Sequence, residues 1–384
     1  MRTLVHAIPP AIYLACSWCW VIGMLLPVML VRDFGVWGWV AFAVPNVIGA
    51  AAVGWYARGR TGRKILERHE HAVRWFTWWT VAFHVFVLGA IGMPGWIAGF
   101  LVLAGWAALR RHVFLLSGMV AVFSMIAAYG MSRQECWAMP ALSGARPTSD
   151  VVFAAAPLAF GFLLCPALDV TFLRTATRHA RVSRWSFGIG FGVFFLALIT
   201  MSGLYSMWFA REDMLLLGNT GDRPGWDAEG YLLTHFLFAQ GVFTIGAHVL
   251  QGRDPQRPLP SGLLLLMVAG GFLAWGVIRL IHFAVESGDI DVFWLAYRLF
   301  LSAYALPFPA YVFICMIPWR WNASPRRRLV VCAGATLVAS PFLAIGYFGD
   351  VYALLPFGVV IPIAAPFLAG ARPLLRRTNT EPRA

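Results

Sequence analysis

The chain has 384 residues, of which 60% are apolar and 12% carry a charge, and its formal net charge is +13. Soluble domains contain about 25% charged residues, so this composition excludes an ordinary soluble protein. The longest polar interruption, 211–230, is too short to fold as a soluble domain of its own.

Apolar runs long enough to cross a bilayer recur from end to end, without an alternating strand pattern. Since about 20 consecutive apolar residues form a transmembrane helix, we predict an all-α polytopic membrane bundle of about 12 transmembrane helices. It forms a single integral membrane domain, 1–384. Spans 4 and 5 are separated only by Arg110 and Arg111 and are one span if they merge. The predicted spans 1 to 12 are 5–31, 35–57, 74–92, 95–109, 112–130, 151–173, 184–209, 231–250, 260–285, 291–318, 329–347 and 351–371.

Basic residues collect in the loops after spans 2, 4, 6, 8 and 10 and in both tails, whereas most acidic residues lie in the alternate loops. The positive-inside rule then places both termini in the cytoplasm. We expect a multi-pass protein of the bacterial inner (plasma) membrane whose basic loops contact anionic lipid headgroups. Arginines spread over several short loops make a poor nucleic-acid site, so we expect lipids as partners and no nucleic acid.

Span 6 contains a proline, Pro166, and three residues later a carboxylate, Asp169. In hydrocarbon, Pro166 frees a backbone carbonyl, and Asp169 costs a few kcal/mol unless a partner receives it. Two interpretations stay open. Asp169 is either an interfacial carboxylate paired with Arg174 or Arg178, or part of a broken helix that lines an ion or substrate cavity.

Span 1 is comparably irregular, because Ser17, Gly23 and Pro27 all loosen a helix. Trp18 and Trp20 lie at mid-depth, where anchoring at the membrane interface does not explain them. They line a substrate cavity or pack against neighbouring helices.

Span 8 carries Gln240, Thr244 and His248 at i, i+4 and i+8, so one face of an otherwise apolar helix is polar. This stripe lines a pathway or makes interhelical hydrogen bonds. Arg279 in span 9 and Arg298 in span 10 lie at similar depth and must face the bundle interior. They shape a charge-selecting entrance or pair with acidic residues of the outer rim.

The six cysteines predict no disulfide framework, since most of them fall in apolar spans. Cys16 and Cys19 have CxxC spacing but no second pair and no histidine partner. We therefore predict no metal site of this kind.

The order of the spans admits an inverted repeat. Span 1 starts inside and span 6 starts outside, so spans 1–5 and 6–10 have opposite topology, and the two most irregular helices occupy corresponding places. We predict a first repeat in 1–150, a second repeat in 151–320, and two additional helices with a cytoplasmic tail in 321–384.

The residues from Ser17 to Trp55 read SWCWVIGMLLPVMLVRDFGVWGWVAFAVPNVIGAAAVGW. An irregular helix, a Gly-rich turn and a second helix of small residues resemble the first core hairpin of sodium:solute symporters. The resemblance implies the leucine-transporter-type fold, where sodium binds between carbonyls of the first core helix and hydroxyls of the eighth. The matching positions here are near Cys16 and Ser17 on the first helix and at Thr244 on the eighth. Adjacent hydroxyls are usual on that helix, but an isoleucine follows Thr244, which leaves proton coupling through Asp169 or a histidine open.

A major-facilitator-type transporter is the alternative, because about twelve helices and inside termini fit it equally. The loop from Gly54 to Lys64 also resembles that superfamily's loop after its second helix, although the expected long central loop is here only 174–184. A non-transporting membrane scaffold or sensor is a further alternative. No HExxH, GxSxG or GxxxxGK[ST] motif and no paired-carboxylate arrangement is present, so we predict that the protein is not an enzyme.

We therefore predict an ion-coupled secondary transporter, a symporter that moves a small polar solute by alternating access. It needs no cofactor, and its coupling ion is Na+ or H+. The predicted residues are Ser17, Trp18, Trp20, Asp169 and Gln240 for the substrate, Cys16 and Thr244 for the ion, and Arg279 and Arg298 for the entrance.

Overall fold

The computed structural model describes residues 2–18, 21–90, 112–133, 139–212, 228–252, 292–317, 319–321 and 323–373. Within these ranges the chain is helical almost throughout. A two-residue antiparallel ladder pairs β1 (Trp319–Arg320) with β2 (Arg372–Pro373). The helices are α1 (Arg2–Trp18), α2 (Val21–Phe34), α3 (Val36–Tyr56), α4 (Arg60–Arg68), α5 (Glu70–Ala90), α6 (Val113–Arg133), α7 (Asp150–Leu164), α8 (Val170–Arg178), α9 (Ser183–Ile189), α10 (Leu196–Glu212), α11 (Ala228–Gly252), α12 (Val292–Ala305), α13 (Pro307–Tyr311), α14 (Pro325–Phe348) and α15 (Leu355–Leu368), with 3₁₀ turns at Cys165–Leu168 and Tyr352–Leu354 and π turns at Gly190–Phe195 and Val312–Met316.

Among the described residues, six helices are long and apolar enough to cross a membrane, and the bent pair α1–α2 makes a seventh if it counts as one span. The protein is therefore an all-α, multi-pass membrane protein. The predicted spans 95–109 and 260–285 lie outside the described residues, so the total of about 12 stays a prediction. The six helices are Val36–Tyr56, Val113–Arg133, Asp150–Leu168, Ser183–Ser206, Leu295–Met316 and Pro325–Phe348.

Two predicted spans differ from the observed helices. Span 1 is two helices, α1 and α2, which meet at an angle of 56°. Near the end of α1, the Ser17 hydroxyl donates to the Leu14 carbonyl at 3.0 Å, a local bond that competes with the regular helix pattern. Span 6 does not continue as one helix to residue 173, because α7 tightens into the 3₁₀ turn and Asp169 is extended (φ −73°, ψ 118°).

Hydrogen bonds at the two ends of α3 fix the directions of its neighbours. Gly35, with φ 63°, makes the tight turn between α2 and α3, so these helices run in opposite directions. There the Val36 amide donates to the Ala141 carbonyl at 2.8 Å, shortly before α7; at the opposite end the Gly59 amide donates to the Ala176 carbonyl at 3.2 Å, near the end of α8. Consequently α7–α8 runs parallel to α3 and antiparallel to α1–α2. We call the two faces of the bundle the Gly35 end and the Gly59 end.

The segment α9–α10 runs beside α1–α2 in the same direction, since α1 packs on α9 and its π turn while α2 packs on α10. The approach is close at Gly190, where a Cβ atom would lie 2.9 Å from the Ala11 carbonyl oxygen. The antiparallel neighbour α3 contacts the same segment, because the Ser183 hydroxyl donates to the Gly54 carbonyl at 3.1 Å. The segments α1–α2, α3, α7–α8 and α9–α10 form the centre of the bundle.

Other helices surround this centre. α11 packs on α1, α5, α6 and α8, and α12 packs on α5 and α7. The α5–α12 contact is aromatic and polar: the Phe83 and Phe300 rings stack at 5.0 Å, and the Thr80 and Tyr304 hydroxyls are 3.0 Å apart. α14 and α15 pack on each other, and α15 also contacts α7 from outside.

The two ends of the bundle differ in charge. The Gly59 end carries α4, which reads RTGRKILER and packs on α8. Trp55, near the end of α3, and Trp185, in the first turn of α9, lie at the same end and are about half exposed, as expected for aromatic side chains at a membrane interface. The Gly35 end carries Asp33, Asp150 and Asp350 together with Arg32 and Arg146, so acidic and basic side chains are mixed there. Which end faces the cytoplasm stays a prediction.

Candidate functional site

The breaks in the two irregular segments face each other. The Ser17 hydroxyl, in the last turn of α1, is 3.3 Å from the Thr171 hydroxyl, in the first turn of α8. One residue further along each helix, the Trp18 and Phe172 rings lie 4.7 Å apart. All four side chains are buried. The end of one broken segment therefore touches the restart of the other.

Asp169 makes the break in the second segment stable. Pro166 has no amide hydrogen, so the helix pattern loses a bond in the turn before it. The Asp169 Oδ1 atom then caps α8: it accepts from the Thr171 amide at 2.7 Å, the Phe172 amide at 3.0 Å and the Thr171 hydroxyl at 2.5 Å. An aspartate is a preferred N-cap, and its charge complements the positive end of the helix dipole.

The second carboxylate oxygen of Asp169 faces a histidine. Oδ2 lies 3.4 Å from Nε2 of His248 on α11, and both side chains are completely buried. Removing the carboxylate would leave the buried imidazole without this contact. In the protein interior, the carboxylate and the imidazole connect α8 to α11. Among the described residues, Tyr13, His84 and Tyr304 lie within electrostatic reach of this pair, and Arg174 and Arg178 lie within reach of Tyr13.

Thr244, one turn before His248, connects α11 to the end of α1. Its hydroxyl lies 3.3 Å from the Cys16 carbonyl oxygen and 3.0 Å from the Gln240 carbonyl oxygen. Hard cations prefer oxygen ligands, and these groups are the predicted ion-binding pair. Among the described residues, no group of three or more His, Cys, Asp or Glu side chains is arranged to hold a metal ion.

Gln240 connects the same helix to α6. Its Nε2 atom donates to the Ser124 hydroxyl at 2.7 Å, and its amide lies beside the Cys16 thiol. Its buried Oε1 atom has no hydrogen-bond partner within the described part of the chain. The polar stripe of α11 is thus completely buried, and its three members contact three different helices.

Trp18 follows Ser17 at the end of α1 and also lines a larger cavity. Its indole nitrogen donates to the Asn46 Oδ1 atom of α3 at 2.6 Å, and both residues are buried. Sequence reasoning missed Asn46 and Thr171. The available signals were an isolated amide in the small-residue helix α3 and a hydroxyl two residues after the capping aspartate. The structure brings together Cys16, Ser17, Trp18, Asp169, Gln240 and Thr244, whereas Trp20 and Arg279 lie outside the described residues.

The larger cavity, which we call the α2 cavity, has a volume of about 540 Å³. Side chains of α2, α7, α12 and α14 line it, from Trp18 beside the break to Phe34 at the Gly35 end. Its walls are mainly apolar, and the charged residues on them are Asp33 and Arg298. A volume of a few hundred Å³ is typical of small-molecule sites.

Ion pairs surround the cavity at the Gly35 end. The Arg32 Nε atom lies 3.0 Å from Asp33, and Arg146 lies 2.6 Å from Asp350. Arg298 donates to the Tyr347 carbonyl at 3.2 Å and lies 3.9 Å from Asp350. The acidic residues of the predicted outer rim that are nearest to Arg298 in the sequence, Asp289 and Asp291, lie outside the described residues.

Comparison with known proteins adds no functional assignment. The chain matches no protein-family model, and a search of curated proteins finds no significant match. The interpretation of the site therefore depends on its geometry and chemistry.

Proposed function

We propose that this protein is an ion-coupled secondary transporter of the leucine-transporter-type fold, which moves a small solute across the inner membrane by alternating access. The observation that carries the proposal is the contact between two interrupted, antiparallel segments at Ser17 and Thr171. Broken helices that meet within the bundle are the usual origin of substrate and ion sites in inverted-repeat transporters.

The packing pattern supports a repeat of five spans. Exchanging spans 1–5 with spans 6–10 replaces span 1 (α1–α2) by span 6 (α7–α8) and span 7 (α9–α10) by span 2 (α3). The contact of α1–α2 with α9–α10 then corresponds to the contact of α7–α8 with α3, and both are present. It turns the contact of α6 with α11 into that of α12 with α5, which also exists. In the major-facilitator alternative, two halves of six spans would exchange. The contact of span 2 (α3) with span 6 (α7) would then correspond to a contact of span 8 (α11) with span 12 (α15), whereas α15 packs on α7 and α14.

The chemistry around Asp169 favours a proton as the coupling ion. Protonating Asp169 removes the negative charge that caps α8 and weakens the bonds to Oδ1. Those bonds hold the first turn of α8, which touches Ser17 of α1. Proton occupancy would thereby bias the position of α8 relative to α1, and that bias links ion binding to the exchange between outward-open and inward-open states.

Sodium is the second candidate, favoured by the oxygen atoms of Cys16 and Thr244. They are 3.3 Å apart between the first and eighth predicted spans, the pair of helices that holds sodium in the resembled family. In this case Thr244→Val removes the sodium response, whereas Asp169→Asn retains it.

Flux into proteoliposomes tests the proposal. The protein is reconstituted, and uptake of radiolabelled anionic, cationic and neutral solutes is measured under a proton gradient and then under a sodium gradient. We expect proton-driven uptake that Asp169→Asn abolishes and that Asp150→Asn, which changes a carboxylate at the Gly35 end, leaves intact. If no solute is taken up and neither ion changes thermal stability, the protein is a scaffold or sensor and the proposal is wrong.

A further inference from the structure

The α2 cavity combines an apolar body with charge at one end. Trp18, Met29 and Phe162 contribute to its apolar wall, while Asp33 and Arg298 are its charged groups. A ligand that fills it must therefore present an apolar surface over most of its length. This requirement goes beyond the small polar solute that the sequence predicts.

The charges at this end compensate one another unequally. Asp33 is paired with Arg32 at 3.0 Å, and Asp350 is paired with Arg146 at 2.6 Å. Arg298 reaches Asp350 only at 3.9 Å, close to the limit for an ion pair, and that carboxylate already has a nearer partner. The positive charge of Arg298 is consequently less closely compensated than the negative charge of Asp33, the other charged residue of the cavity wall.

Arg298 also has hydrogen-bonding capacity to spare. One terminal nitrogen donates to the Tyr347 carbonyl, and the guanidinium lies 5.5 Å from the centre of the Tyr347 ring. Its Nε atom is buried and has no hydrogen-bond partner in the described ranges. Because the Arg298 side chain is 18% exposed while its Nε atom is buried, an anion in the cavity meets the terminal nitrogens of the guanidinium, which match the oxygens of a carboxylate or sulfonate.

We propose that the α2 cavity binds an organic anion with an apolar body, whose carboxylate or sulfonate contacts Arg298 and whose apolar part extends toward Trp18. This inference rests on the proposed function in one respect: it names the class of solute that such a transporter carries. Binding itself needs neither a gradient nor a transport cycle, so it is testable separately.

Equilibrium binding to the purified full-length protein tests the proposal. Titration calorimetry compares 3-phenylpropionate with 3-phenylpropanol and 3-phenylpropylammonium, which share one apolar body and differ in charge. We expect saturable binding of the carboxylate that is about tenfold tighter than that of either analogue, because neither the neutral alcohol nor the cationic ammonium supplies a negative charge for Arg298. Equal binding of the three probes, or a preference for the ammonium, overturns the proposal.

Variants locate the anion contact. Arg298→Gln is expected to weaken carboxylate binding about tenfold, and Arg298→Lys, which keeps the charge, to weaken it less. Arg326→Gln removes an exposed positive charge at the start of α14, away from the cavity wall, and we expect little change. Equal effects of Arg326→Gln and Arg298→Gln contradict a direct contact. Should both Arg298 variants fail to fold, the charge preference of the unaltered protein still decides the question.

The two proposals fail in different ways. Carboxylate binding without gradient-driven flux supports the cavity site and contradicts transport. Flux of a cationic or neutral solute without any carboxylate preference supports transport and contradicts the anion site.

Discussion

Replacing Asp169 tests whether the carboxylate stabilises the break between α7 and α8. In Asp169→Ala, the amides of Thr171 and Phe172 and the hydroxyl of Thr171 lose their common acceptor. In Asp169→Asn, an oxygen acceptor is kept and the charge is lost. A comparison of the two variants therefore separates the hydrogen bonds of the cap from its charge.

The expected magnitudes follow from the buried donors. Loss of an N-cap costs about 0.5–2 kcal/mol, and a buried donor left without an acceptor costs about 1–3 kcal/mol. Because these contributions overlap, we expect Asp169→Ala to lower the free energy of unfolding by about 2–4 kcal/mol. Asparagine caps about as well as aspartate, so Asp169→Asn should cost less, about 1–2 kcal/mol, from the lost interactions of the carboxylate with the helix dipole and with His248.

Thermal unfolding in detergent, followed by tryptophan fluorescence, measures both variants. Asp150→Ala is the matched control, since Asp150 begins α7 without the buried contacts of Asp169. We expect the midpoint to fall most for Asp169→Ala, less for Asp169→Asn and least for Asp150→Ala. The reasoning is refuted if Asp169→Ala is no more damaging than Asp150→Ala, or if alanine and asparagine at position 169 are equivalent.

Three further predictions concern packing and pH. Gly190→Ala should lower the free energy of unfolding by about 1–3 kcal/mol in thermal unfolding, because the added Cβ meets a carbonyl of α1. Gly192→Ala, whose added Cβ would have nothing within 4 Å, should be neutral or stabilising. Equal effects of the two variants would contradict the packing of α1 on this segment. Trp18→Phe leaves the buried asparagine of α3 without its donor and should cost about 1–3 kcal/mol in the same assay, while Trp75→Phe, at a site 69% exposed, should change little; similar losses count against the contact. His69 lies outside the predicted spans, and its pKa is lowered by burial and then by the nearby charge of an arginine. The unfolded chain therefore binds the proton more readily, so the free energy of unfolding should fall as the pH drops below about 6.5. His69→Gln should reduce this decline, and a decline that persists unchanged in the variant would contradict the assignment.

The sequence predicted where the helices are irregular better than it predicted what the irregular residues contact. Pro166 and Asp169 are visible as helix-breaking and charged residues in an apolar run, and they lie at the observed break. The predicted end of that span at 173 was too late, because the residues after Asp169 remain apolar enough for hydropathy to continue across the break. Hydropathy reports the depth of a residue and is insensitive to backbone direction.

Partners between helices depend on rotation and register, which a single sequence does not encode. The spacing of Thr244 and His248 places them on one face of α11, yet it does not indicate that one would meet the Cys16 carbonyl and the other Asp169. Asn46 was missed for the same reason: an isolated amide among small residues has no periodicity, and its role follows only from the position of Trp18.

Cross-linking across the two breaks tests the central claim most directly. Cysteines replace Ser17 and Thr171, whose hydroxyls are 3.3 Å apart, in a cysteine-free protein reconstituted in membranes. The control pair replaces Ser17 and Thr175, one turn further along α8. We predict that mild oxidation rapidly joins the first pair, leaves the control pair free and arrests gradient-driven solute uptake. Absence of the first cross-link, or equal cross-linking of both pairs, would contradict a shared site between the broken segments.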